Sequence, residues 1–156
     1  MRRSLLLLSL GLGLALAATP VIAAEPAPPV HATAQGIAIG GYDPVAYFTD
    51  GRPTLGSASF EHRWNGATWR FASAASRDRF AADPEAFAPR FGGYCAWAIS
   101  QNYIAPGDPR IWRIVDGRLY LNFNARAKEL WEADLHGAIG RGDVNWATVL
   151  ATAANR

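Results

Sequence analysis

Hydrophobic and polar residues alternate in two stretches of the chain, and each stretch is interrupted by a short polar turn. In residues 57–72 the interruption is Asn-Gly at 65–66, and in residues 111–123 it is Asp-Gly at 116–117. These dipeptides are typical of two-residue hairpin turns, because both turn positions require positive φ angles. The pattern therefore predicts two β-hairpins.

Helix signals follow each hairpin. Ser73 can cap a helix over residues 74–82, and Asn124 can cap a longer helix whose apolar residues recur at helical spacing. Because glycine disfavours a helix interior, we expect the longer helix to end at residues 140–142. A last helix is then expected to run through residue 150.

Hairpins that alternate with helices predict an α+β fold, a small single domain in which two β-hairpins pack against several short helices. The chain has 156 residues, which suits one domain, and its 6 Trp, 7 Phe and 5 Tyr can fill a core. We place this domain at residues 37–150. Residues 25–36, which are rich in proline, are expected to form a flexible or extended lead-in.

The N-terminal segment, residues 1–24, has the pattern of a secretory signal peptide. Arg2 and Arg3 precede an apolar run over residues 5–18, and small residues near 22–24 offer cleavage sites. The apolar run is shorter than the ~20 residues that a membrane-spanning helix needs. We therefore expect export, removal of the leader and no membrane span in the mature protein.

Leader removal also changes the charge balance. The full chain has 15 Lys and Arg against 13 Asp and Glu, and the loss of the two leader arginines equalises them at 13 each. A chain without excess positive charge lacks the basic surface that attracts nucleic acids and anionic membranes. We therefore expect no nucleic-acid partner.

Five motifs occur in an order that resembles a known family. They read GYDPVAYF at 41–48, NGATWRFAS at 65–73, FAADPE at 80–85, FGGYCA at 91–96 and DGRLYLN at 116–122. Over residues 37–148 the chain resembles the YHS domain family, in particular the small exported YHS-domain proteins of Gram-negative bacteria. The resemblance implies a YHS-like domain and a periplasmic location.

The resemblance also bears on metal binding. Metal-handling YHS domains carry cysteines where this chain has Ala46 and Ala72, so the soft ligands of that site are absent. The remaining candidate metal ligands are Cys95, His62 and His136, with copper or zinc as candidate ions. Neither histidine has a partner at typical metal-ligand spacing, and the alternative is that both are solvent-facing or simply hydrogen-bonded.

Cys95 is the most informative residue, because it is the single cysteine and so cannot form an intramolecular disulfide. Gly92 and Gly93 precede it, and its spacing to Ala98 and Ile99 predicts a short amphipathic helix. If the glycines open that helix, the thiol lies in its first turn, where backbone N–H groups favour negative charge. The alternative is that Cys95 is a small buried hydrophobic residue.

Aromatic residues close to these motifs suggest a pocket for a ligand. We expect a partly shielded thiol at its floor, and the candidate ligand-binding residues are Cys95, Tyr94, Trp97, Asp43, Tyr47 and Trp112. The alternative for the aromatic residues is core packing. For Asp43, which precedes a proline, the alternative is the capping of a helical turn.

The sequence favours an exported ligand-binding protein with no established catalysis, whose ligand is a small molecule or a transition-metal ion. We predict no catalytic residue, because the chain has no Gly-rich phosphate loop, no nucleophile elbow and no paired-cysteine metal motif. Two alternatives stay open. One is a thiol redox protein that acts through Cys95, and the other is a structural or protein-interaction module.

The leader prediction has a direct test. If residues 1–24 are a signal peptide, mass spectrometry of the periplasmic fraction finds a chain that starts near Ala24 or Glu25. A chain that keeps Met1 and stays in the cytoplasm would contradict the prediction.

Overall fold

Both predicted hairpins form. In the computed structural model, which describes residues 27–152, β1 (Ser57–Trp64) pairs antiparallel with β2 (Ala67–Phe71), and β3 (Asp108–Val115) pairs antiparallel with β4 (Arg118–Asn122). The turn residues have positive φ, 49° and 80° at positions 65–66 and 50° and 71° at 116–117. The predicted leader, residues 1–24, lies outside the described residues.

Within residues 27–152, six α-helices surround the hairpins, which confirms the α+β class. They are α1 (Ala46–Thr49), α2 (Ala74–Ala82), α3 (Pro84–Phe87), α4 (Ala96–Ser100), α5 (Ala125–Ala133) and α6 (Leu135–Thr152). The side chains of Ser73 and Asn124 accept the N–H groups of Ser76 and Ala127, so both predicted caps are present.

The longer helix, which Asn124 caps, does not end at residues 140–142, so that prediction is wrong. The helix ends earlier, because Asp134 (φ −139°) separates α5 from α6. Helix α6 then continues through Gly140 and Gly142. Gly142 is buried, and a Cβ atom there would lie 2.6 Å from the Phe91 ring. The glycine therefore serves close packing between α6 and that ring, a role that outweighs its low helix propensity.

Residues 27–36 of the expected lead-in pack against the body. The N–H of His31 donates to the carbonyl of Gly92 at 2.8 Å, and Val30 is buried. The N–H of Ala27 donates to the carbonyl of Leu150 at 3.0 Å. The packed body therefore begins before residue 37.

Strand β4 lies between two groups of buried side chains. Leu119 and Leu121 belong to a first core with the aromatic residues Trp69, Phe71 and Phe80 of the first hairpin and α2. Tyr120 belongs to a second core, where its ring lies 5.1 Å from that of Trp131. Because successive strand residues point to opposite faces, β4 joins the two cores.

Helix α6 is the longest helix that the structure describes, and it packs on the second core. Within residues 27–152, no helix combines the length and the apolar character that crossing a bilayer requires.

Two glycines of α6 make a matched pair for a stability test. Gly142→Ala should lower the free energy of unfolding by about 1–3 kcal/mol, because Phe91 is packed between Tyr120 and Trp146 and cannot yield to a new methyl group. Gly140→Ala should raise it by about 0.5–1 kcal/mol, because nothing lies within 4 Å of a Cβ atom there. Urea denaturation of both variants measures the two changes, and equal effects would contradict the packing role of Gly142.

Candidate functional site: the Cys95 cleft

The structure contains a cleft of about 330 Å³ that includes the sulfur-bearing residue Cys95 in its lining. We call it the Cys95 cleft. Its walls come from α4, the loop after α4, the segment between β4 and α5, and the first two turns of α5. Its lining includes the side chains of Trp97, Tyr103, Phe123, Arg126 and Leu130.

Cys95 lines the cleft and is 1% exposed. Its N–H donates to the carbonyl of Ala105 at 2.9 Å, and its sulfur lies 3.6 Å from Oδ1 of Asn122. In this geometry the thiol donates to the amide oxygen. The residue is therefore tied to its surroundings at both its backbone and its side chain.

The expected position of Cys95 within the first turn of a helix opened by glycines is wrong. Gly92 and Gly93 have φ of 60° and 84° and belong to a separate 3₁₀ turn, while α4 begins at Ala96 and Cys95 is its N-cap. A Cβ atom at Gly92 would lie 2.0 Å from the carbonyl oxygen of Pro29. The first of these glycines therefore allows the N-terminal segment to approach the turn.

Asn122 is the site residue that sequence reasoning missed. It is fully buried at the end of β4, where its Oδ1 accepts the N–H of Trp97 at 3.1 Å and the thiol of Cys95. Its Nδ2 has no hydrogen-bond partner among residues 27–152. An asparagine between Leu121 and Phe123, in a strand that is otherwise largely apolar, is the sequence signal that could have identified it.

Aromatic side chains at the rim are unusually exposed. Tyr103 is 40% exposed and Phe123 is 52% exposed, while Trp97 is half-buried. Phe123 also lines a neighbouring cleft of about 370 Å³ that contains Tyr42 and Arg110. Exposed rings around a concave surface are typical of ligand and interaction sites.

Of the aromatic candidates, the structure brings Trp97 to the Cys95 cleft and not Tyr94, Tyr47 or Trp112. The hydroxyl of Tyr94 donates to the carbonyl of Pro28 at 3.0 Å, and that of Tyr47 donates to the carbonyl of Pro109 at 2.7 Å. Burial raises the pKa of both phenols, so both remain protonated donors at neutral pH.

Trp112 and Asp43 also have structural partners. The Trp112 ring packs edge-on against Tyr47 with the centroids 5.1 Å apart. The buried carboxylate of Asp43 accepts the N–H groups of Val45 at 2.8 Å and Ala72 at 2.9 Å. Asp43 therefore supports the turn that leads into α1 and ties it to the end of the first hairpin.

The candidate metal ligands do not meet at this cleft. His62 lies on β1 with its ring 6.1 Å from that of Phe80, and His136 is exposed in the first turn of α6. In the part of the chain that the structure describes, no group of three or more His, Cys, Asp or Glu side chains is arranged to hold a metal ion. The residues around Cys95 therefore do not fit a transition-metal site.

A further cleft of about 240 Å³ contains Ala46, Ala72 and Asp43. Under the proposed resemblance these two alanines would stand where metal-handling YHS domains carry cysteines, and both line this cleft. Because alanine has no ligand atom, the cleft lacks the soft ligands of those domains.

Compared with known proteins, the chain matches no protein-family model, no curated protein and no solved structure. The resemblance to YHS domains therefore stays a prediction that rests on the sequence motifs.

His31 connects the N-terminal segment to Tyr94. Its ring lies 5.3 Å from that of Tyr94, and burial lowers the pKa of His31 below its ordinary value of 6.5. The folded protein therefore favours the neutral imidazole. The resulting stability is present above pH 6.5 and is lost as the pH falls through the lowered pKa.

Substitution of His31 should weaken the acid sensitivity of the fold. Between pH 7.5 and pH 5, the Tm of His31→Gln should fall by less than that of the wild type, because glutamine has no proton to gain. Thermal unfolding followed by circular dichroism across this range measures both slopes. Identical slopes would show that protonation of His31 does not oppose docking of residues 27–32.

Proposed function

We propose that this chain is an exported, YHS-like ligand-binding protein that takes a small ligand in the Cys95 cleft. One observation carries the proposal: the buried residue Cys95 lines a concave surface that the exposed rings of Tyr103 and Phe123 also line. The exposed rings offer apolar area that a ligand would remove from water. Export and the periplasmic location come from the leader pattern and the family resemblance.

The chemistry of the lining supports binding and not catalysis. Among the described residues that line the cleft, none is Asp, Glu or His, which are the usual general acids and bases. The thiol of Cys95 donates to the amide oxygen of Asn122, so its hydrogen is already engaged by the protein. Cys95 therefore acts in this proposal as a soft, polarisable surface under the ligand.

The size of the cleft limits the ligand. A volume of about 330 Å³ lies at the small end of ligand pockets, which range from roughly 300 to 1,000 Å³. Rings at the rim pack best against other flat surfaces, in stacked or edge-on contacts. The proposed ligand is accordingly a small, flat and mainly apolar molecule.

A neutral fluorescent probe tests this proposal. Phenylnaphthylamine, which is flat and apolar, should bind the purified mature protein, gain fluorescence and slow the reaction of Cys95 with a small methanethiosulfonate reagent. Tyr103→Ala and Phe123→Ala should each weaken binding by about three- to tenfold, because a buried aromatic contact is lost.

Leu55→Ala is the matched control. Leu55 is 64% exposed and does not line the cleft, so its removal should leave both probe affinity and Cys95 protection unchanged. A thiol that stays unmodified until the protein is denatured, or a probe that binds without protecting it, would mean that Cys95 only packs in the core. A metal ion retained by the wild type and lost in Cys95→Ser would favour the metal hypothesis.

A further inference from the structure

The Cys95 cleft carries an uneven distribution of charge. Its lining contains Arg126, and none of its described lining residues is acidic. The neighbouring cleft differs, because its Arg110 binds Asp108 through two nitrogens, at 3.0 and 2.7 Å. Arg126 is therefore the one charged residue in the described lining of the Cys95 cleft, because its partner Glu129 lies outside that lining, whereas Asp108 lines the same cleft as Arg110.

Arg126 is only loosely engaged in the protein. Its guanidinium lies 3.1 Å from the carboxylate of Glu129, three residues later on the same helix, and the two side chains are 72% and 66% exposed. Ion pairs with this exposure contribute little to stability, because water screens them and both side chains lose freedom. An anion in the cleft can therefore compete for Arg126 at little cost.

The start of α5 lies at the same side of the cleft. Asn124, Arg126 and Ala127 all line it, and the Asn124 side chain caps the N–H of Ala127. The positive end of this nine-residue helix adds to the field of the arginine. A negative charge on a ligand would thus be favoured at one end of the cleft, beside the aromatic side chains.

We propose that the Cys95 cleft selects flat, apolar ligands that carry an anionic group, and that Arg126 binds this group. The inference rests on the proposed function and deepens it. The ring system of the ligand packs against Tyr103 and Phe123 above the thiol, and its carboxylate, sulfonate or phosphate faces Arg126. Arg126 thereby determines specificity, while the apolar contacts supply most of the affinity.

A pair of matched probes tests the inference on the mature protein. Anilinonaphthalene sulfonate has the ring system of phenylnaphthylamine with an added sulfonate. Arg126→Gln should weaken binding of the sulfonate by about two- to fivefold at low ionic strength and leave the uncharged probe unaffected. The effect on the sulfonate should shrink in high salt, because the rim is exposed to water.

Two further variants control the result. Glu129→Gln removes the competing carboxylate and should strengthen sulfonate binding by about twofold. Arg141→Gln removes an exposed arginine that pairs with Asp134 and does not line the cleft, so it should change neither affinity. All three substitutions lie at exposed positions of helices and are compatible with the fold, which their Tm values check.

The outcomes separate the two proposals. If the uncharged probe protects Cys95 but Arg126→Gln changes both affinities equally or neither, the anion preference is overturned and the binding cleft stands. If neither probe protects Cys95 from the thiol reagent, the binding cleft and the anion preference are both overturned. A sulfonate-specific loss in Arg126→Gln, with the opposite change in Glu129→Gln, supports the inference.

Discussion

Burial of β4 on both faces is the constraint on which the rest of the structure depends. In a two-stranded sheet each strand ordinarily keeps one face toward water, yet Leu119 and Leu121 enter one core while Tyr120 enters the other. The first hairpin and α2 cover one face, and α4, α5 and α6 cover the other. Each group of elements therefore buries part of its apolar surface against this shared strand.

The candidate site follows from the same strand. Asn122 continues the alternation of β4 and is on the face of Tyr120, toward α4, where it binds the N–H of Trp97 and the thiol of Cys95. Phe123 comes next, after the strand has ended, and stands at the rim of the cleft. One short segment thus supplies the polar support beneath the thiol and an exposed ring beside it.

The sequence allows prediction of those features that residues close together in the chain determine. The hairpin turns and the Ser73 and Asn124 caps depend on contacts within a few residues, and all of them were predictable. The continuation of α6 through Gly142 depends on Phe91, which is distant in the chain, and the docking of residues 27–36 depends on Gly92. Cys95 and Trp97 could be chosen as candidate site residues by their type, whereas Asn122 becomes a candidate only through its position at the end of β4.

The hydrogen bond between Ala27 and Leu150 has a consequence for how the chain folds. It joins two residues at opposite ends of the described chain, and the same N-terminal segment also needs the turn around Gly92 as its docking surface. Topologies rich in such distant contacts fold more slowly than those built from local ones, because long loops must close first. A chain that emerges N-terminus first therefore forms this contact only after helix α6 has been synthesised. Docking of the N-terminal segment thus has to wait for the C-terminal helix.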